Sequence, residues 1–356
     1  MQSRPPCRSQ KAHSRLGKVV SREAEVLLRQ LVAEGVSPWL AASRSEQLDA
    51  AVLKAPDFPF QGVVLPPGGS GDLVRAACDA LAPVFTTSGG AVGQVSAPVD
   101  PRYAEEPGPL LDAARTLHRG VARPNLVVRI PMTGAGVQVL ADCLAEGIGV
   151  DATLVFSTEK YAEVLDAYVD GMERALVSGR RLACISAVTT FPVGAFEQEV
   201  DARLERLGSR EARGTAGQAM ARRLYRLREQ RLAEDWWRVL RAGGAIPPRL
   251  LWAGGGRRSV SRLVGWHTAH ALPAGVLEDA ARGEELHGDT LLNADREGAA
   301  MLRRLERLGA RLGEAVAALE AAELRRLQND WELSSGSAPA ACGGSARSTG
   351  PGAERT

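Results

Sequence analysis

A chain of 356 residues, 45% apolar and with a formal charge of +2, holds enough material for one large α/β barrel or two smaller domains. Its 24% charged residues place arginines among acids along helices, which reads as solvated faces and excludes a general nucleic-acid surface. No run approaches the roughly 18 apolar residues of a membrane span, and the opening MQSRPPCRSQKAHSRLGK lacks the apolar core of a secretory signal.

The sequence carries Cys7, Cys78, Cys143, Cys184 and Cys342, an odd number without metal-like spacing, so buried thiols in a reducing cytoplasm are expected and neither metal nor cofactor is. There are only four lysines, Lys11, Lys18, Lys54 and Lys160. A mechanism that needs a buried amine has few candidates.

Residues 1–20 and 334–356 are rich in Ser, Gly, Pro and Arg and read as disordered tails around a folded unit over 21–333. Within that unit, short apolar runs alternate with helical patterns. A helix over Arg22–Glu34 precedes a first strand, Ser37–Leu40. Further strands are expected at Gly62–Leu65, Gly93–Ala97, Leu126–Ile130, Asp151–Phe156, Cys184–Val188, Arg249–Trp252 and Ser261–Val264. Helices fill the gaps, notably Thr158–Ser178, Glu197–Ala242 and the terminal stretch Ala294–Trp331. Eight such repeats predict an α/β fold, a (β/α)8 TIM barrel. The glycines of Pro67-Gly68-Gly69-Ser70-Gly71 do not form a dinucleotide fingerprint, which leaves a doubly wound sheet without support.

The stretch Asn125–Gly136, NLVVRIPMTGAG, sets a charge, Arg129, inside an apolar strand. Burying a guanidinium is costly unless it is paired or faces a polar cavity.

That stretch resembles P-N-L-x-I-K-I-P-A-T-x-x-G of the transaldolase family in its actinobacterial form. The resemblance extends over roughly Val36–Trp331. VSPWL is similar to V-S-V-W-L, and VSAPVDPRYA to V-S-x-E-V-D-P-R-L-A. EGIGVDATLVFSTEKYAEVLDAYVDGME follows E-G-I-x-V-N-x-T-L-I-F-S-x-x-R-Y-x-x-V-x-x-A-Y-x-x-G-L-E, and PPRLLWAG follows P-Q-R-P-L-W-A-S. Membership implies a barrel of the pentose-phosphate type. It would transfer a dihydroxyacetone unit between sugar phosphates through a lysine Schiff base, with carboxylates moving protons.

Carried over by position, the Schiff-base lysine falls on Arg129, which stays protonated and cannot form an imine. The family aspartate falls on Ala41, the asparagine on Pro66 and the strand-three glutamate on Pro98. The serine and arginine that hold the substrate phosphate fall near Gly194 and Ala195, and the serine of W-A-S becomes Gly254. Together these losses point to a degenerate site.

Thr133 and Thr153 stand at family site positions, and Asp151 replaces a family asparagine. Strands four and five are neighbours in a sequential barrel, so Arg129 and Asp151 are expected either to form a bidentate pair or to offer Arg129 to an anionic ligand. His267-Thr268-Ala269-His270 is expected after strand eight. His267 is a candidate for the mouth, and no Asp, Glu or Cys stands at metal-ligand spacing. Gly254-Gly255-Gly256 followed by Arg257 forms either an anion nest for phosphate or a flexible turn. Three functions remain open: a degenerate barrel kept for binding or assembly, new chemistry on a phosphorylated or sugar-like substrate, or residual transaldolase. The expected partner is a sugar phosphate or another anionic small molecule, with neither nucleic acid nor membrane. The resemblance implies a homodimer.

Overall fold

A computed structural model describes residues 20–42 and 58–335 of the protein. The tails expected at 1–20 and 334–356 lie outside the described residues, apart from Val20 and a terminal helix that runs through Ser335. Lys11, Lys18 and Lys54 lie outside them too.

Eight parallel strands close into a barrel in sequence order. They are β1 Val36–Ala41, β2 Gly62–Val64, β3 Gln94–Pro98, β4 Leu126–Pro131, β5 Gly149–Thr153, β6 Ala187–Phe191, β7 Arg249–Ala253 and β8 Thr268–Leu272. Alternate residues of each strand face inward. Trp39, Val127, Val188, Leu251, Ala269 and Ala271 meet there as a cluster separate from the shell between strands and helices. Trp39 is fully buried, and its indole lies where a side chain on Gly62 would have to be. One large ring among alanines and valines fills the barrel.

Helix α1 (Arg22–Ala33) leads into β1 and is capped by the Ser21 hydroxyl, which accepts from Ala24 N at 3.2 Å. Around the barrel follow α2 (Gly71–Thr87), α3 (Pro107–Val121), α4 (Gly134–Ala145) and α5 (Thr158–Val177). The helix expected over Glu197–Ala242 is three helices: α6 (Val193–Arg206), α7 (Ala216–Leu232) and α8 (Asp235–Ala242). Gly208 and Gly214 take left-handed φ of 71° and 72° between the first two, which a continuous helix does not allow. Next come α9 (Arg257–Arg262) and α10 (Ala274–Ala281). The terminal stretch likewise splits into α11 (Asp295–Arg307) and α12 (Leu312–Ser335), with Gly309 at φ 88° between them.

Three strands move from their expected places. The fifth starts at Gly149 and stops at Thr153, because Leu154 turns to φ 63°. The sixth begins at Ala187, after a 3₁₀ turn over Leu182–Cys184. The eighth is Thr268–Leu272 rather than Ser261–Val264, and Ser261 belongs to α9. The small residues Ala269 and Ala271 face the crowded interior, so this strand lacks the bulky apolar run that usually marks one. No described helix is long and apolar enough to cross a membrane.

Candidate functional site

The C-terminal mouth of the barrel, where the strand ends and the following loops gather, is where such folds build sites. In register, Arg129 of β4 lies beside Pro98 of β3 and Asp151 of β5. This adjacency is as expected; the bidentate pair is not formed. The Arg129 Nη2 donates instead to the Leu65 carbonyl. The Asp151 carboxylate accepts from the Ser96 hydroxyl at 2.6 Å and from the Thr190 hydroxyl at 2.6 Å. Both hydroxyls come from strands flanking the pair, one on each carboxylate oxygen.

Asp151 is fully buried. Burial pushes its carboxyl above the ordinary range, opposed by the charge of Arg129 and by the two hydroxyls. Arg129 is pulled down first by burial and is supported by Asp151, while Arg326 opposes its charge. The two groups therefore interact through their fields rather than through a shared proton.

What lies above Arg129 decides what the site can hold. Pro67, Pro98, Pro131 and Thr153 crowd it from the strand ends, and Leu327 and Trp331 of α12 come down from outside. The cavity left among them measures about 20 Å³. That volume admits about one water molecule, whereas small-molecule pockets run to roughly 300–1,000 Å³. Helix α12 is fastened there: Gln328 Nε2 donates to Pro101 O at 3.3 Å, and the Trp331 side chain hydrogen-bonds the Asp100 carboxylate. Burial raises the Asp100 carboxyl, but hydrogen bonds from the side chain and backbone of Arg102 and from Trp331 hold it below its usual range.

The remaining expected residues are placed as follows. Thr153 ends β5 and lines the small cavity. Thr133 is committed locally: it caps α4, accepting from Gly136 N at 3.0 Å, and donates to the Ala104 carbonyl. Gly136 is required there, since any side chain on it would run into the Pro131 carbonyl. At the family's phosphate position, a side chain on Gly194 would overlap the Gly254 carbonyl, so the β6 and β7 loops close backbone to backbone. Gly254 takes φ 70°, and Gly256 precedes the short α9. Arg257 is half exposed and faces Glu284 at 3.7 Å.

His267 is corrected. It precedes β8 at the N-terminal end of the barrel, opposite the mouth, with Nε2 donating to Pro247 O at 3.2 Å. His270 lies within β8, with Nε2 donating to Leu263 O at 3.1 Å. Lys160, the one described lysine, stands on α5 with its amine on Glu163 at 2.7 Å. Among the described residues, no group of three His, Cys, Asp or Glu could hold a metal.

Sequence reasoning missed Ser96, Thr190, Leu327 and Trp331. Ser96 had a signal: it stands two residues before Pro98 in an extended run, and hence on the same face. The residues of α12 had none, because packing across the chain leaves no local pattern.

The family described as Transaldolase/Fructose-6-phosphate aldolase matches residues 71–338. A transaldolase of Mycobacterium tuberculosis (strain ATCC 25618 / H37Rv) is 39% identical over 272 residues, covering 73% of this chain and 73% of that protein. Transaldolase 1 of Streptomyces avermitilis is 37% identical over 269 residues, covering 72% and 71%. A transaldolase of Acidothermus cellulolyticus is 36% identical over 268 residues, covering 72% of each. The chain belongs to the transaldolase family.

Proposed function

We propose that this member of the transaldolase family does not carry out Schiff-base transfer, and that its barrel is kept for binding or assembly. One observation carries the reading: Arg129, at the position of the reactive lysine, is held on the Leu65 carbonyl beneath a cavity of about 20 Å³. A guanidinium offers no free amine to a ketone. Ala41, Pro66 and Pro98 supply no carboxylate or amide at the other family positions, and the Gly194–Gly254 contact leaves no room for a phosphate-holding serine. Lys160 is engaged with Glu163 outside the barrel interior. In this reading the ligand is a sugar phosphate or another anionic small molecule, the assembly is a homodimer, and the protein works in the cytoplasm. The last point is supported by the free, buried thiols of Cys78 and Cys143, both pushed up to about 12 by burial.

Borohydride reduction in the presence of fructose 6-phosphate tests the central claim by intact-mass spectrometry. The expected result is unmodified protein. A stable adduct overturns the reading and identifies a residual transaldolase. Arg129→Lys alone is expected to recover no turnover, because the carboxylate positions remain empty.

A second reading rests on Asp151, whose carboxyl is raised by burial, as acids and bases at catalytic sites often are. Recruited chemistry would use it once α12 has left the mouth. Ordered ligand against Asp151 in crystals soaked with fructose 6-phosphate would favour that reading. A mouth that stays closed over Arg129 removes it.

A further inference from the structure

Away from the small cavity over Arg129, a cavity of about 230 Å³ opens between the start of α6, the start of α7 and α9. Arg213, Arg258 and Arg262 line it against a single carboxylate, Glu197. Some arginines elsewhere on this protein are matched with acids at close range, such as Arg115 with Glu146 and Arg326 with Glu323. Here they are not. Arg213 reaches only Glu205, at 3.7 Å and on an exposed edge, and Arg258 and Arg262 have no ion pair within 4.0 Å among the described residues. Glu197 offsets only part of that charge: its carboxylate accepts the Gly217 backbone N–H and interacts with Arg262, one carboxylate among three guanidinium groups.

We propose that this cavity is a binding site for a small phosphate monoester, its phosphate held by Arg213, Arg258 and Arg262 and a hydroxyl of its stem accepted by Glu197. Three arginines line this one space, and their planar forks match phosphate oxygens two at a time. The volume is below the range of drug-sized pockets, which selects a phosphate on a short stem. The place also has a logic. Ser259 and Val193, which line the cavity, pack against Gly255, so the site lies directly behind the closed β6–β7 contact. Phosphate recognition has moved out of the barrel axis into the groove between its helices.

The inference deepens the reading of a barrel kept for binding and rests on it. The two fail separately: borohydride trapping reports on chemistry at the mouth, and phosphate binding reports on this cavity.

The test is calorimetry on the full chain at low ionic strength, with inorganic phosphate and with glycerol 3-phosphate. Wild type is expected to bind both. The double variant Arg258→Gln, Arg262→Gln is expected to bind about tenfold or more weakly. Glu197→Gln is expected to tighten inorganic phosphate by removing a like charge, while losing the preference for glycerol 3-phosphate. Arg257→Gln, outside the cavity and facing Glu284, is expected to change neither. Thermal unfolding of each variant checks that it is folded. A flat trace with wild type at millimolar phosphate overturns the proposal. So does equal affinity in the folded double variant, or a loss confined to Arg257→Gln, which would return the anion to the glycine loop.

Discussion

The two ends of the barrel each hold an arginine, buried at the N-terminal end and half-buried at the C-terminal end, and the contrast shows how differently the two charges are held. At the N-terminal end, Arg249 opens β7 almost fully buried, donating to Thr268 O at 2.9 Å and to Ala91 O at 2.9 Å. Its Nη2 also lies 3.4 Å from His267 Nδ1. Burial, and then the charge of Arg228, pull its guanidinium down to about 9. No carboxylate pairs with it among the described residues. At the C-terminal end, Arg129 also rests on a carbonyl, but a buried carboxylate stands beside it in the neighbouring strand. The first arrangement is a polar stitch between strand starts. The second keeps a charge in the same kind of carbonyl setting and adds a counter-charge held by Ser96 and Thr190.

If that distinction is right, the mouth is the more fragile end. Asp151→Ala leaves Arg129 without its counter-charge and two buried hydroxyls without their acceptor. A loss of roughly 3–5 kcal/mol is expected in urea unfolding. Arg249→Met is expected to lose less, roughly 2–3 kcal/mol, since it strands one buried and one half-buried carbonyl but removes the cost of burying a charge. A neutral or stabilising Arg249→Met would mean that desolvation dominates at the N-terminal end, and that the carbonyl bonds only compensate for it.

A third prediction concerns pH. His270 is held down to about 4 by burial, against the pull of the Leu263 carbonyl, and His267 down to about 3, first by burial and then by Arg249. From the ordinary 6.5 downward, the unfolded chain takes up protons that the folded chain refuses, so stability is full above that pH and falls as acid is added. By pH 5, His270 alone is expected to account for about 2 kcal/mol. His270→Asn should flatten that limb of the stability curve, and an unchanged limb would mean that His270 is already protonated in the fold.

Which parts of this were legible in the sequence follows from the physics of each part. Strands one to four and seven could be read because apolar runs such as Leu126-Val127-Val128 are bounded by turn residues. The eighth could not, since Thr268-Ala269-His270-Ala271-Leu272 looks polar and small until a barrel interior filled by Trp39 explains its alanines. The site divides in the same way. Arg129 and Asp151 were identifiable from strand order alone as residues of neighbouring strands; their register came from the structure. That Asp151 also accepts from Thr190 depended on placing β6 three residues later than its apolar run suggested. His267 was misplaced for the same reason: moving β8 later carried it from the mouth to the opposite end. The seal by Leu327 and Trp331 joins residues some two hundred positions from Arg129, a distance over which hydrophobic pattern carries no information.

The smallest expected effect is the one that bears most directly on Arg129. A double-mutant cycle on Arg129→Ala and Asp151→Ala should give a coupling of about 1–2 kcal/mol, within the usual range for neighbouring groups and below what removing Asp151 alone costs. Zero coupling would mean that the two charges ignore each other despite adjacent register. A value of that size would still leave two explanations, a field between separated charges or a direct contact formed in solution. Arg129→Lys separates them. Lysine keeps the charge but loses the planar fork, so a field effect survives the substitution nearly unchanged. A bidentate contact does not survive it. Coupling retained with lysine would place Arg129 as a charge balanced through space under a closed mouth, the state the geometry describes. Coupling lost with lysine would mean that Ser96 and Thr190 release the carboxylate, and that the mouth opens far enough for the arginine to reach it.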